Sequence, residues 1–198
     1  MKTVNLKQKS QEWLAWRRSK IMASDAPIIM GVSPYKSPEK LLEEKIQCYE
    51  RPGNQWMQRG IDLEPKALSE FEKEKNLIMF PCVGIHDNGW MAASFDGMTL
   101  EEDCIVEIKC PGKKDHAMAL EGKIPDKYYP QIQHQIYVSG LNMAYYFSFD
   151  GERGVTIEVN KDEIYIENMI AKLFDFWQLL QPQMVKEEPI YACSTDVF

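Results

Sequence analysis

Apolar positions along this 198-residue chain change period several times, and each change marks an element. Ser10 stands just before Trp13 and Trp16, which predicts a short capped helix ending near Arg18. Ser24 is placed to cap a second short helix, Asp25 to Met30, stopped by Gly31. Ser37-Pro38 sets proline at the first position of a third helix, followed at helical spacing by Leu41, Leu42, Lys45, Ile46 and Tyr49. Arg51 to Asn54 reads as a turn. A longer helix then runs from about Gln55 to Lys75, with Gly60 as a point of interruption. Its stripe is Leu63, Ala67, Leu68 and Phe71, and Glu64 lies one turn before Leu68, on or beside the buried face.

The period then shortens to two, predicting strands over about Leu77 to Ile85, Trp90 to Phe95, and Ile105 to Lys109. Helical patterning returns from Lys114 to Gly122 and again from Tyr128 to Gly140, where the glycine suits a C-cap. A hairpin follows, out along Ala144 to Phe149, turning at Asp150-Gly151, and back through Val155, Ile157 and Val159. Ile166, Met169, Ile170, Leu173, Phe174, Trp177 and Leu180 predict a last amphipathic helix ended by Pro182, and residues 187–198 read as a tail. There is no internal repeat, and the length suits one domain over 1–198 with a sizeable core.

Composition narrows the class. Hydrophobic residues make up 44% and charged residues 27%, with no apolar run long enough to span a bilayer. The first residues lack a signal-peptide core, and five cysteines without C-x-x-C spacing argue against a disulfide framework or a zinc site. A reducing cytoplasm is the expected location. The net charge of −7 argues against a protein that coats nucleic acid non-specifically. It does not argue against a metal-dependent nuclease, because bound cations reverse the local sign. Any DNA contact must come from a local basic cluster, and Arg17, Arg18, Lys20, Lys36, Lys40 and Lys45 are the candidate.

The candidate chemistry lies on the strands. Alternation puts Ile105, Glu107 and Lys109 on one face of their strand and Val106 and Ile108 on the other, while Asp96-Gly97 ends the strand before. An acid and a lysine pointed the same way among apolar neighbours bury charge at a cost that a metal or partner relieves. Two acids converging from paired strands can hold a hard divalent cation, and the lysine can orient an attacking water. An isolated E-x-K is more often a surface salt bridge, so the rest of the chain has to decide. His86, His116 and His134 show no ligand spacing and read as structural.

Six ordered segments do decide. They are Trp16 to Ser24, Gly31-Val-Ser-Pro-Tyr35, Arg59-Gly-Ile-Asp-Leu-Glu64-Pro, Ala93-Ser-Phe-Asp96-Gly97, Val106-Glu107-Ile-Lys109-Cys-Pro111 and Tyr129-Pro-Gln131-Ile-Gln133. Together the chain resembles the phage lambda exonuclease family, or YqaJ-type viral recombinases, within the PD-(D/E)xK nucleases. The resemblance implies an α/β (α+β) restriction-endonuclease-like core, with a central mixed sheet flanked by helices. It implies that Asp96, Glu107 and the Ile108 carbonyl bind metal, that Glu64 completes the site, and that Lys109 positions or activates water beside Gln131. Arg17 and Ser24 match residues that grip the terminal phosphate of the degraded strand. Phe95 departs from a common proline, at a position without chemistry.

What the family implies for function is a 5′-to-3′ exonuclease on linear duplex DNA, using two Mg²⁺ ions for which Mn²⁺ can substitute. Its product is a 3′ overhang for a phage annealing protein. A homotrimeric ring is implied, in the bacterial cytoplasm, from a phage or prophage gene. Two alternatives stand beside it: a structure- or sequence-specific endonuclease of the same fold, and a catalytically inactive DNA-end-binding module. An end-phosphate pocket argues against the first, and the complete Glu64, Asp96, Glu107 and Lys109 set against the second.

Overall fold

The computed structural model describes residues 1–47 and 53–185. Elements run β1 (Lys2–Thr3), α1 (Gln11–Arg18), β2 (Ile21–Met22), α2 (Ala26–Ile29), α3 (Pro38–Gln47), α4 (Gln55–Lys75), β3 (Phe80–Ile85), β4 (Met91–Met98) and β5 (Ile105–Lys109). They continue as α5 (Lys113–Leu120), α6 (Tyr129–Ser139), β6 (Met143–Phe149), β7 (Gly154–Asn160) and α7 (Glu163–Val185). Tyr49, Arg51 and Pro52 of the expected turn, and the 187–198 tail lie outside the described residues.

The seven strands form one mixed sheet in the order β1-β3-β4-β5-β6-β7, with β2 pairing alongside β4. Most pairings are antiparallel. The β5–β6 pair is parallel, and its crossover is made by α5 and α6. That topology lays α6 across the end of β5 that carries the candidate residues. The expected alternation on β5 holds. Ile105 faces a core with Ile132 and Ile136 of α6 and Met169 and Leu173 of α7. Val106 and Ile108 face a smaller core with Ala67 and Phe71 of α4, Phe147 and Phe149. Helices therefore cover both faces, as the hydrophobic pattern requires.

Several boundaries differ from the sequence expectation. The strand expected from Leu77 begins at Phe80, because Asn76 takes a left-handed conformation (φ 53°) that ends α4, and Glu72 caps the Met79 amide at 2.8 Å. The strand expected to stop at Phe95 continues through Asp96 and Gly97 to Met98, drawn on by pairing of Gly97 with Val106 and Met98 with Ile105. Neither Gly60 nor Pro65 breaks α4, and α7 passes through Pro182 instead of ending there. In both helices the carbonyl that proline leaves unpaired, that of Ile61 or Gln178, belongs to an exposed residue. Phe174, expected in the core stripe of α7, is 39% exposed, and Phe176 is buried instead.

Gly97 has a packing reason. A β-carbon there would meet Met79 Cβ and Val106 Cγ1 at 2.9 Å and Leu68 Cδ1 at 3.2 Å. The strand next to Asp96 thus lies as close to α4 as a backbone can.

Candidate active site

A cleft of about 1420 Å³ opens where β4 and β5 meet α1, α4 and α6, and Arg17, Ser24, Glu64, Asp96, Glu107, Ile108, Lys109 and Gln131 all line it. On its floor Glu107 is 1% exposed. Its Oε1 accepts from Gln131 Nε2 at 2.6 Å and from Lys109 Nζ. Its Oε2 accepts from Gln135 Nε2, which also reaches the Ser94 carbonyl at 3.3 Å. One turn of α6 separates Gln131 from Gln135, so both amides fall on the face laid over β5.

Asp96 is half-buried beside it, and its Oδ2 accepts from the Ile108 amide at 2.8 Å. Burial, then the neighbouring Glu107, raises the Asp96 carboxyl well above the usual carboxylate range. Burial alone would depress the Lys109 ammonium, but Glu107 and Asp96 outweigh it and raise its pKa above that of ordinary lysine. Lys109 is therefore a fixed cation, and Tyr128 lends it a ring face at 5.6 Å.

Glu64 lies half-buried on α4 along the same cleft, and its charge adds to the upward shift of Asp96. Among the described residues no three His, Cys, Asp or Glu side chains stand close enough to form a compact metal cluster. The donor set is two carboxylates from adjacent strands, the Ile108 carbonyl, and a third carboxylate across the cleft. This suits Mg²⁺, which binds through one or two carboxylates and keeps waters and substrate phosphate in its shell. Burial first, and then the adjacent Glu107, disfavour the Asp96 charge, and a bound cation would favour it.

Arg59 fixes where α4 stands. Its guanidinium donates to the carbonyls of Cys110 at 2.7 Å, Pro111 at 3.3 Å, and Asp150. It ties the Glu64-bearing helix to the chain just past Lys109. Arg59 lies within one of the six segments and Gln135 two residues past the last of them, neither with a role expected from sequence. The i, i+4 spacing of Gln131 and Gln135 was the available signal.

At the other end of the cleft Arg17 donates to Ser24 Oγ at 3.2 Å, its guanidinium 4.4 Å from the centre of the Trp13 ring. Ser24 does not cap a helix. It sits exposed in a 3₁₀ turn, Ala23–Asp25, and Asp25 instead accepts the Met22 amide at 2.9 Å. Beneath, Asp25 pairs with Lys45 at 2.8 Å, and Lys45 also donates to the Lys20 carbonyl at 2.9 Å. Burial opposes the Asp25 charge, yet Lys45 and Arg17 hold its pKa below the usual value.

The basic cluster expected here is thus not a free patch. Lys36 pairs with Glu44, Lys40 with Glu43, and Arg18 caps the Lys45 and Ile46 carbonyls. Arg17 is the member that presents its charge to Ser24. The histidines are packing groups: His86 stacks on Tyr137, and His116 Nδ1 lies 2.9 Å from Ser148 Oγ. Burial pushes His134 down to about 4 and keeps it neutral. Cys82, Cys104 and Cys110 are free thiols, and no described helix is long and apolar enough to cross a membrane.

This sheet, with its acid-bearing strands under α6, is the fold of the alkaline exonucleases. The chain superposes on an alkaline exonuclease, LHK-Exo from Laribacter hongkongensis, with a TM-score of 0.76 and 23% identity, covering 89% of this chain and 95% of that one. A phage-related exonuclease from Haemophilus somnus 129PT gives 0.60 and 16%, over 84% and 94%. Residues 12–142 match the YqaJ-like viral recombinase domain, and the chain belongs to that family. It is 27% identical over 186 residues to the uncharacterized protein YqaJ of Bacillus subtilis strain 168, across 87% of this chain and 57% of that protein. The chain therefore spans little more than half the length of that relative.

Proposed function

We propose that the protein is a metal-dependent deoxyribonuclease, a single nuclease domain that digests one strand of linear double-stranded DNA from its 5′ end and leaves 3′ overhangs. The observation that carries the reading is the pairing of two sites in one cleft. Glu107, Asp96, Lys109 and Gln131 lie at one end, and an arginine–serine pair suited to a phosphate at the other. Arginine is the side chain for a charge-assisted grip on phosphate oxygens, and a fixed grip on a terminal phosphate serves only an enzyme that works from ends.

Divalent cations of the Mg²⁺ class, held by Asp96, Glu107, the Ile108 carbonyl and Glu64 in a pair that Mn²⁺ can replace, supply the charge that phosphodiester hydrolysis requires. The chain's residues do the rest. Lys109, a cation beside Glu107, orients the attacking water and balances charge that develops on the phosphoryl oxygens. Gln131 and Lys109 together hold Glu107 Oε1 in place. The water oxygen bonds to phosphorus and gives up a proton to solvent, the P–O3′ bond breaks and the departing O3′ takes a proton from solvent water, leaving a 3′-hydroxyl on the released piece and a 5′-phosphate on the shortened strand. The product end is again the ligand of Arg17 and Ser24, so each cut prepares the next. The proposal extends to a homotrimeric ring around DNA, in the cytoplasm of a bacterial host, acting with a phage single-strand annealing protein.

The test compares a 5′-phosphorylated linear duplex with a covalently closed circle, with Mg²⁺ and with chelator. Digestion of the linear form alone, dependent on Mg²⁺, is expected. Cutting of the closed circle would favour an endonuclease, and binding of ends without digestion an inactive end-binding module.

A further inference from the structure

Ser94 stands on β4 two residues before Asp96 and is held by both ends of the cleft. Its carbonyl accepts from Gln135 at 3.3 Å, and the same amide nitrogen donates to Glu107 Oε2. Its hydroxyl accepts from the Trp13 indole Nε1 at 3.2 Å, and the Trp13 ring carries the Arg17 guanidinium. Arg17 in turn donates to Ser24. An unbroken line of contacts thus runs Glu107, Gln135, Ser94, Trp13, Arg17, Ser24. Its middle members are rigidly placed, since Trp13 is 7% exposed and Gln135 1%. The indole nitrogen can only donate, which gives the Trp13 link one direction.

We propose that Ser94 is a shared anchor that sets the spacing between the end-phosphate pocket and Glu107, and so the length of the piece released at each cut. The inference rests on the exonuclease reading above. An enzyme that grips a strand at one point and hydrolyses it at another has its step fixed by the separation of the two points. Here the points belong to different segments of chain: α1 and the turn after β2 carry Arg17 and Ser24, whereas β4 and β5 carry the acids. They meet where Ile21 and Met22 pair with Met91 and Ala92, and again at Ser94. Misplacement by about 1 Å can cost on the order of 100-fold in rate, so a direct tie between the two points matters. Trp13, Ser94 and Gln135 are positioning residues and need not touch DNA.

Ser94→Ala and Trp13→Phe cut the same hydrogen bond and leave the Ser94 carbonyl in place; Gln135→Met cuts the other link. The full chain is given a 5′-phosphorylated linear duplex, and the lengths of the released pieces, kcat, KM and Tm are measured. Wild type should release pieces of one length. Each variant should release mixed lengths at a lower kcat, with KM less affected. The Ser94→Ala/Trp13→Phe double variant should be no worse than either single, since both remove one contact. A single product length in every variant, or simple addition of the Ser94 and Trp13 effects, would overturn the proposal. If Gln135→Met fails to fold, the Ser94/Trp13 cycle decides alone. A wild type that does not degrade linear duplex would overturn the exonuclease reading itself, and this inference with it.

Discussion

The Ile108 amide donates to Asp96 Oδ2 at 2.8 Å, where the antiparallel pairing of β4 and β5 has already ended at Gly97 and Val106. The side chain of Asp96 thereby takes the place of a ladder acceptor and is fixed against the strand that carries Glu107 and Lys109. One carboxylate oxygen is committed to the backbone, and the other remains for the cleft. Under the proposed function Ile108 would serve twice, its amide held by Asp96 and its carbonyl available to a cation.

Lys109→Ala and Asp96→Ala should each abolish digestion of linear duplex while leaving DNA-end binding. Asp96→Asn should go further. Its raised pKa means that the charged form is disfavoured in the fold, so stability falls as pH rises through the folded pKa. Asp96→Asn should therefore raise Tm at neutral pH in chelator and still be inactive. A lower Tm in calorimetry would refute the strained-carboxylate account.

Arg17→Ala should weaken the preference for a 5′-phosphorylated over a 5′-hydroxyl end. A hydrogen bond to a charged group is worth roughly 1.5–3 kcal/mol, which corresponds to about 10- to 150-fold in the ratio of kcat/KM for the two ends. Equal discrimination by variant and wild type would leave Arg17 as a neighbour of Trp13 and Ser24 and nothing more.

Glu64→Gln should raise the Mg²⁺ concentration needed for half-maximal activity, or depress turnover severely, with little change in Tm without metal. It keeps size and polarity and removes a charge that Asp96 feels across the cleft. A normal Mg²⁺ titration would leave the chemistry to Asp96, Glu107 and Lys109.

His134 titrates near 4 in the fold against an ordinary value near 6.5, because burial disfavours its cation. The unfolded chain then takes up a proton that the folded chain refuses. Its contribution is intact above pH 6.5 and is lost as pH falls toward 4, by about 3 kcal/mol in all. His134→Leu should remove this acid sensitivity, so the Tm difference between variant and wild type should shift in the variant's favour between pH 7 and 4.5. A constant difference would mean that His134 is not buried as a neutral group.

Much of the site was legible because its signals are local. Alternation over five residues places Glu107 and Lys109 on one face of β5, and a helical stripe places Glu64 toward the cleft. Gln135 was legible only as the i+4 neighbour of Gln131 and Ser94 not at all, since they act through contacts between residues 28 and 41 positions apart. Arg59 is the same case, reaching 51 and 91 residues along the chain. Local signals also misled. Serine before a helical run predicted a cap at Ser24, but α2 has no side-chain cap, and the neighbouring Asp25 turns back to the Met22 amide and Lys45. Proline predicted a stop at Pro182, yet an exposed carbonyl is cheap to leave to solvent.

Gly97 shows how closely packing and chemistry are bound here. With Met79 and Val106 at 2.9 Å from any added β-carbon, even alanine would push against the neighbouring strand and the segment after α4, next to Asp96. A side chain at this position would therefore be felt first by the neighbours of Asp96, so the tightness of packing and the placement of one acid are set by the same residue.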